Sequence, residues 1–213
     1  MNTDQLIAML ATTATPVEPN AAARRYAVAM GWSAFGAALL MMVLLGVRSD
    51  LADAAMLATF WVKVMFVAGL AAAGLVAAMR LSRPGVSLGW VPRAFIALVV
   101  AMWVLAAIQL FNVDPALRPE LFFGTTWQSC PFWIAMLSTP MFIAVLWAMK
   151  GLAPTRLRLA GTAMGFAAGA TGALVYSLHC PELAAPFLAF WYLLGMLIPT
   201  AVGMALGPRL LHW

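Results

Sequence analysis

The two cysteines carry the most distinctive chemistry in this chain. Cys130 stands in Gln128-Ser129-Cys130-Pro131, and Cys180 in His179-Cys180-Pro181-Glu182. Thiols oxidise to disulfides, and as thiolates they bind soft metals. Proline pushes the preceding residue out of the helical region and favours a helix start just after it. Each cysteine is therefore expected at a helix boundary. Three readings of the pair stay open: a plain structural disulfide, two inert thiols, or a reactive pair that answers oxidants or soft metals. In the third, His179 beside Cys180 could supply a further metal ligand, although Cys-Cys-His without a fourth ligand is a weak zinc pattern. Lys63 is the other chemical group, the one charge well inside a long apolar run and not at its edge. It either snorkels along its four-carbon stem to the nearer interface or faces the bundle as an intramembrane cation that lowers a cysteine pKa.

The elements that must position these groups follow from composition. Of 213 residues, 65% are hydrophobic and 9% charged, where an ordinary soluble domain has roughly 25% charged. Mean hydropathy is +0.96. Nineteen ionisable acids and bases cannot clothe a soluble domain. This composition excludes a soluble globular fold, a disordered chain and a nucleic-acid-binding surface. A span needs about 20 apolar residues, and six stretches qualify: 26–47, 54–79, 91–111, 131–149, 157–178 and 187–206. The runs are continuous and not alternating, which argues against a β-barrel. The expected fold class is all-α, a polytopic bundle of six transmembrane helices. The first 25 residues lack an apolar run, so no cleavable signal peptide is expected.

Charge orients the bundle. Nine of twelve basic residues (Arg24, Arg25, Arg80, Arg83, Arg93, Lys150, Arg156, Arg158 and Arg209) fall on one side, and five of seven acids fall opposite. The positive-inside rule then places both termini in the cytoplasm. Cys130 and Cys180 fall together at the outer face, at the start of span 4 and the end of span 5. One Cys-Pro dipeptide would mean little; two at one face in a chain without other cysteines mean more. Trp32, Trp90, Trp147 and Trp213 mark the inner ends, and Trp61, Trp127, Trp133 and Trp191 the outer ends, as an anchoring belt in the lipid bilayer.

Gly161, Gly165 and Gly169 recur every four residues in span 5, and Gly203 and Gly207 do so in span 6. That spacing permits close backbone approach, within the subunit or across a homodimer. Pro140 and Pro199 are expected to kink spans 4 and 6. The spans hold no Asp or Glu, which weighs against a transporter or channel. No Ser-His-Asp, HExxH or phosphate-loop pattern appears, so no enzyme activity is expected.

The N-terminal segment has its own character. Thr3 or Asp4 is expected to cap a short helix to about Thr12, with Leu6, Ile7 and Leu10 on one face. Pro16-Val17-Glu18-Pro19 reads as a stiff extended link, and Asn20 restarts helix. An interfacial helix usually carries Lys or Arg, and none precedes Arg24. Docking into a partner's groove and lying on the membrane both remain open for these residues.

Several segments together resemble the NrsF family, negative regulator of sigma F. They are Thr3-Asp4-Gln5-Leu6-Ile7, Pro16-Val17, Ala22-Ala23-Arg24-Arg25 and Leu45-Gly46-Val47-Arg48-Ser49-Asp50-Leu51. Ala153-Pro154-Thr155-Arg156, His179-Cys180-Pro181-Glu182, Trp191-Tyr192 and Gly207-Pro208-Arg209-Leu210-Leu211 complete the set. The resemblance covers essentially the whole chain. It implies a six-helix anti-sigma factor of the bacterial inner membrane. Such a protein holds an extracytoplasmic-function sigma factor and releases it under stress. Cys130 and Cys180 match the family's pair outside the cytoplasm, which is implicated in sensing heavy metals or oxidants. No resident cofactor is implied; a transient soft ion such as cadmium, or chromium-driven oxidation, would be the signal. Residues 1–25 would then be a sigma-docking tail using Asp4, Leu6, Ile7 and Leu10, residues 26–207 the membrane domain, and 208–213 a cytoplasmic end. The rivals are a small transporter or channel, and a structural scaffold with an inert disulfide.

Overall fold

A lipid interior offers no partner to a bare peptide group, so each long apolar run closes its own hydrogen bonds as a helix. The computed structural model describes residues 2–13 and 21–212, and among these there is no strand. A short helix, α1 (Thr3–Thr13), is followed by α2 (Ala21–Leu44), α3 (Ala58–Leu81), α4 (Val91–Asn112), α5 (Cys130–Lys150), α6 (Leu157–Tyr176) and α7 (Ala185–Leu210). Helices α2 to α7 are each long and apolar enough to cross a membrane. One end of the bundle carries both cysteines. The other gathers the arginine-rich loops and is termed the basic end below.

Helix α6 is the hub. Its small residues are buried along most of its length, and α7, α3, α5 and α2 pack around it. Helix α4 is peripheral, with only Val91, Met102 and Ala106 buried. The glycine repeat explains the tightest seam. A Cβ at Gly161 would overlap Gly203 O, one at Gly165 would overlap Pro199 O, and one at Gly169 would sit 2.8 Å from Met196 O. Gly203 and Gly207 return the approach from α7. This face is spent within the subunit, so it is not available for a homodimer.

Several boundaries differ from the sequence expectation. Helix α2 starts by Ala21, which places Arg25 inside it; the guanidinium stacks 4.2 Å from the Trp147 ring centre and donates to Trp147 O. Ala54 and Ala55 close a separate short helix, Leu51–Ala55, and the span itself begins at Ala58. Helix α5 breaks at Ser138 into Cys130–Leu137 and Thr139–Lys150. Pro140 causes this, because its ring clashes with the carbonyl four residues back and it lacks an N–H. Helix α2 uses the break, where a Cβ at Gly36 would meet the Pro140 ring at 3.5 Å. Helix α7 contains a π-helical turn at Leu188–Tyr192, a wide turn that periodicity does not announce.

Helix α1 starts one residue earlier than expected. Asn2 caps it: its carbonyl accepts from Leu6 N, and its N–H donates to Gln5 Oε1 at 3.3 Å. Leu6, Ile7, Met9 and Leu10 are all exposed. The expected stiff link at 16–19, the restart at Asn20 and the Trp213 anchor lie outside the described residues.

The seam yields a prediction. Gly165→Ala should destabilise the bundle by at least about 1–3 kcal/mol, because its methyl meets backbone that cannot yield. Gly31→Ala, where nothing lies within 4 Å, should change little. Thermal unfolding in detergent separates them, and equal midpoints would refute the seam.

Candidate functional site

The sequence places Cys130 and Cys180 fifty residues apart, and the antiparallel α5 and α6 bring them together. Cys130 opens α5, its N–H bonded to Thr126 O at 2.9 Å. Cys180 lies just past α6, its N–H bonded to Tyr176 O at 3.0 Å. Both thiols are free and fully buried, and each lies within hydrogen-bonding reach of the other. The helix-boundary expectation holds for both. Their complete burial was not expected of a reactive pair.

Lys63 supplies the charge. It rises from α3 with its side chain 0% exposed, so it points into the bundle and does not snorkel to the lipid interface. Nζ donates to Cys180 O at 2.8 Å and Glu182 O at 3.1 Å and lies 5.2 Å from the Tyr192 ring centre. A buried cation needs such partners. These two bonds also fix the turn that carries Cys180. The hydrogen bond from Cys130 holds the Cys180 thiol below its usual pKa; the nearby Lys63 charge acts the same way, and burial opposes both.

Two tyrosines complete the pocket. Tyr176, at the end of α6, and Tyr192, in the π-helical turn, are buried beside the thiols. Their rings lie 6.0 Å apart. Thr126 Oγ1 sits 3.9 Å from Cys180 Sγ. None of these three was singled out from the sequence for this site; Tyr192 stood out only within the Trp191-Tyr192 resemblance. Contact between residues 126, 176, 180 and 192 has no short-range signature.

His179 does not join the thiols. Its Nδ1 lies 2.9 Å from Gly46 O and its ring faces Tyr176. Among the described residues, no group of three His, Cys, Asp or Glu side chains is placed to hold a metal. The Cys-Cys-His ligand set is therefore not assembled. On the same loop, Arg48 grips Asp50 through two bonds of 2.7 Å, which hold the Asp50 carboxyl below its usual pKa. Arg48 also reaches Cys180 O at 3.5 Å.

A lid covers the pocket. The segment after α4 forms a short helix, Arg118–Phe123, and returns through 124–129 into α5. Phe122, Phe123, Trp127, Phe190 and Trp191 stack on one another with centres 5.0–6.2 Å apart. Trp191 Nε1 donates to Phe122 O at 2.9 Å. Trp127 and Trp191 therefore fasten the lid, a role beyond the anchoring belt. Glu182 latches it: its Oε1 accepts from Thr125 N at 2.7 Å and Thr125 Oγ1 at 2.8 Å. Gly124, at φ +55°, leaves room for that carboxylate, which a Cβ would meet at 2.6 Å. The arrangement brings two free thiols to one buried place, screened from oxidants by the lid.

The lid is expected to set the rate at which the thiols are reached. Charge-assisted hydrogen bonds at partly exposed atoms contribute about 1–2 kcal/mol here. Glu182→Ala should therefore raise the open population, and the alkylation rate of both cysteines, roughly five- to thirtyfold. Mass spectrometry of maleimide labelling measures this. An unchanged rate would mean that the lid is not the barrier.

Comparison with known proteins adds a second line. The family model described as "Negative regulator of sigma F" matches residues 10–213. A protein of Azospira oryzae named "Probable anti-sigma-F factor NrsF" is 59% identical over 213 residues, covering 100% of both chains. A protein of Caulobacter vibrioides named "Anti-sigma-F factor NrsF" is 42% identical over 217 residues, again covering 100% of both. No solved structure matches the chain significantly.

Proposed function

This chain belongs to the NrsF family, negative regulator of sigma F, and on that premise we propose that it is a membrane-bound anti-sigma factor. The observation that carries this reading is the end-to-end match to two relatives named as anti-sigma-F factors. A fragmentary match would leave open whether the tail or the bundle was shared; this one includes both.

The partner is a sigma factor of the extracytoplasmic-function type, held at the cytoplasmic face of the bacterial inner membrane. The loop charges support that orientation: the basic end carries nine cations, and the cysteine end carries most of the acids. Helix α1 supports the capture step, because Leu6, Ile7 and Leu10 stand exposed on a short helix that ends well before α2. Burying one such leucine in a groove contributes about 1.5–3 kcal/mol, with Asp4 available to a basic partner site. Helix α1 and the basic loops are the surfaces a partner would meet, since the tail is too short to fold as a domain.

The cysteine pair is the sensor. Cys130 and Cys180 lie on the periplasmic side and change state together under heavy-metal or oxidative stress. Lys63, the turn at 180–182 and the broken α5 link that change to the rest of the bundle. The absence of acids within the spans leaves a transporter reading without a coupling group.

One experiment tests capture and release together. Membranes carrying the protein should retain the sigma factor, and cadmium or peroxide should release it. Leu6→Asp with Leu10→Asp should abolish capture while the protein stays in the membrane. Cys130→Ser with Cys180→Ser should keep capture and lose release. Undiminished capture by the leucine variant would move the docking site to the basic loops, and normal release from the double serine variant would remove the sensor. Orientation has its own check. A cytoplasm-only reporter should be active after Arg83 and Lys150 and silent after Glu182; activity at Glu182 would invert the bundle.

A further inference from the structure

The polar groups around the thiols do not form a metal cage. A dication there would find two sulfurs but no histidine or carboxylate as third ligand among the described residues. It would also lie beside the buried Lys63 ammonium, whose repulsion an apolar interior screens poorly. A neutral oxidant brings no charge into the pocket and meets groups suited to it.

Tyr192 is the most telling of those groups. Its hydroxyl is fully buried and satisfies no hydrogen bond, although the Cys180 thiol is within reach. Buried hydroxyls are nearly always paired. A π-helical turn, frequent at functional sites, places it there. An unused donor beside a thiol is what a leaving oxygen needs. Thr126 Oγ1 also reaches the Cys180 thiol, and the Lys63 ammonium holds the carbonyl of the same residue. Cys130 opens α5 fully buried. The convergent groups belong to Cys180.

We propose that the pocket is built for a hydroperoxide, with Cys180 as the attacking thiol, Cys130 as the resolving thiol, and Tyr192 and Lys63 as the residues that assist the attack. The proposal rests on the sensing reading and assigns its chemistry. In the first step the Cys180 sulfur attacks one peroxide oxygen. An S–O bond forms and the O–O bond breaks. The Cys180 proton passes through the Tyr192 hydroxyl to the departing oxygen, which leaves as water or an alcohol. Lys63, held at the Cys180 carbonyl, offsets the negative charge as it develops on the departing oxygen. In the second step Cys130 attacks the Cys180 sulfenic acid. The S–S bond forms, the S–O bond breaks, and the hydroxyl leaves with the Cys130 proton as water. Two thiols are oxidised and one peroxide is reduced.

The test uses the purified full chain in detergent with hydrogen peroxide. Wild type should form one disulfide. Cys130→Ser should accumulate a dimedone-trapped sulfenic acid at Cys180, while Cys180→Ser should give none at Cys130. Tyr192→Phe should slow peroxide oxidation by about a hundredfold, the scale of a lost proton donor. Its oxidation by diamide, which expels no oxygen, should stay at the wild-type rate. Lys63→Met should slow the peroxide reaction, and Lys63→Arg should restore part of it. A dimedone adduct on Cys130 in Cys180→Ser would overturn the assignment of roles. Equal slowing by peroxide and diamide in Tyr192→Phe, or no slowing at all, would overturn the donor. Peroxide chemistry that runs as stated while cells fail to release the sigma factor supports the site and counts against the sensing reading alone.

Discussion

An ammonium group inside a helical bundle must be given oxygen partners or it will not stay charged. Lys63 meets that demand with the carbonyls of Cys180 and Glu182, and much of the cysteine end follows from it. The two bonds fold the turn after α6 back over the bundle, so that Cys180 points inward. They also present the Glu182 side chain to the lid, where Thr125 and the Gly124 gap receive it. Charge, turn, thiol and lid are thus joined in one chain of contacts. Each contact is ordinary in strength; their shared dependence on one side chain is what makes the site a unit.

The opposite demand governs the rest of the bundle. Where no polar group needs a partner, helices gain only by packing, and small residues let backbones close. The α6–α7 seam is therefore nearly free of side chains at its centre. It gives the molecule a stiff spine beside the more articulated α5, which is broken at Ser138. Gly172 ties the two regions, its Cα facing Ile134 O and Ser138 on the broken helix. Cys130 thus opens a helix whose break at Ser138 rests on a rigid support.

Much of this architecture was legible in the sequence. Six apolar runs define six helices because lipid leaves no alternative for the backbone, and Pro140 marked a real break. The glycine repeat was legible as close packing, but only the structure shows that the partner is α7 and not a second subunit. The sequence placed Cys130 and Cys180 at one end of the bundle, where they could meet, but left two separate inert thiols open. Lys63 was undecided, since a lysine two turns deep can snorkel or turn inward, and the choice depends on carbonyls more than a hundred residues away. Tyr176, Tyr192 and Thr126 were missed for the same reason. His179 misled, because adjacency in sequence places neighbouring side chains on different sides of a turn. The aromatic lid was mistaken for anchoring, as a tryptophan near a helix end looks the same whether it meets lipid or another ring.

The π-helical turn has a consequence for biogenesis. Tyr192 belongs to the last helix of the chain, while the thiols belong to the end of α6 and the start of α5. A ribosome delivers these pieces in order, so both cysteines emerge and insert before the residue that closes over them exists. The pocket is shut by the final helix, like a keystone set after the arch. Until then the thiols are open to any oxidant in their compartment. Only a chain with its last helix in place encloses both thiols, and a stalled chain leaves them open. Completion of the fold and burial of the thiols are therefore a single event.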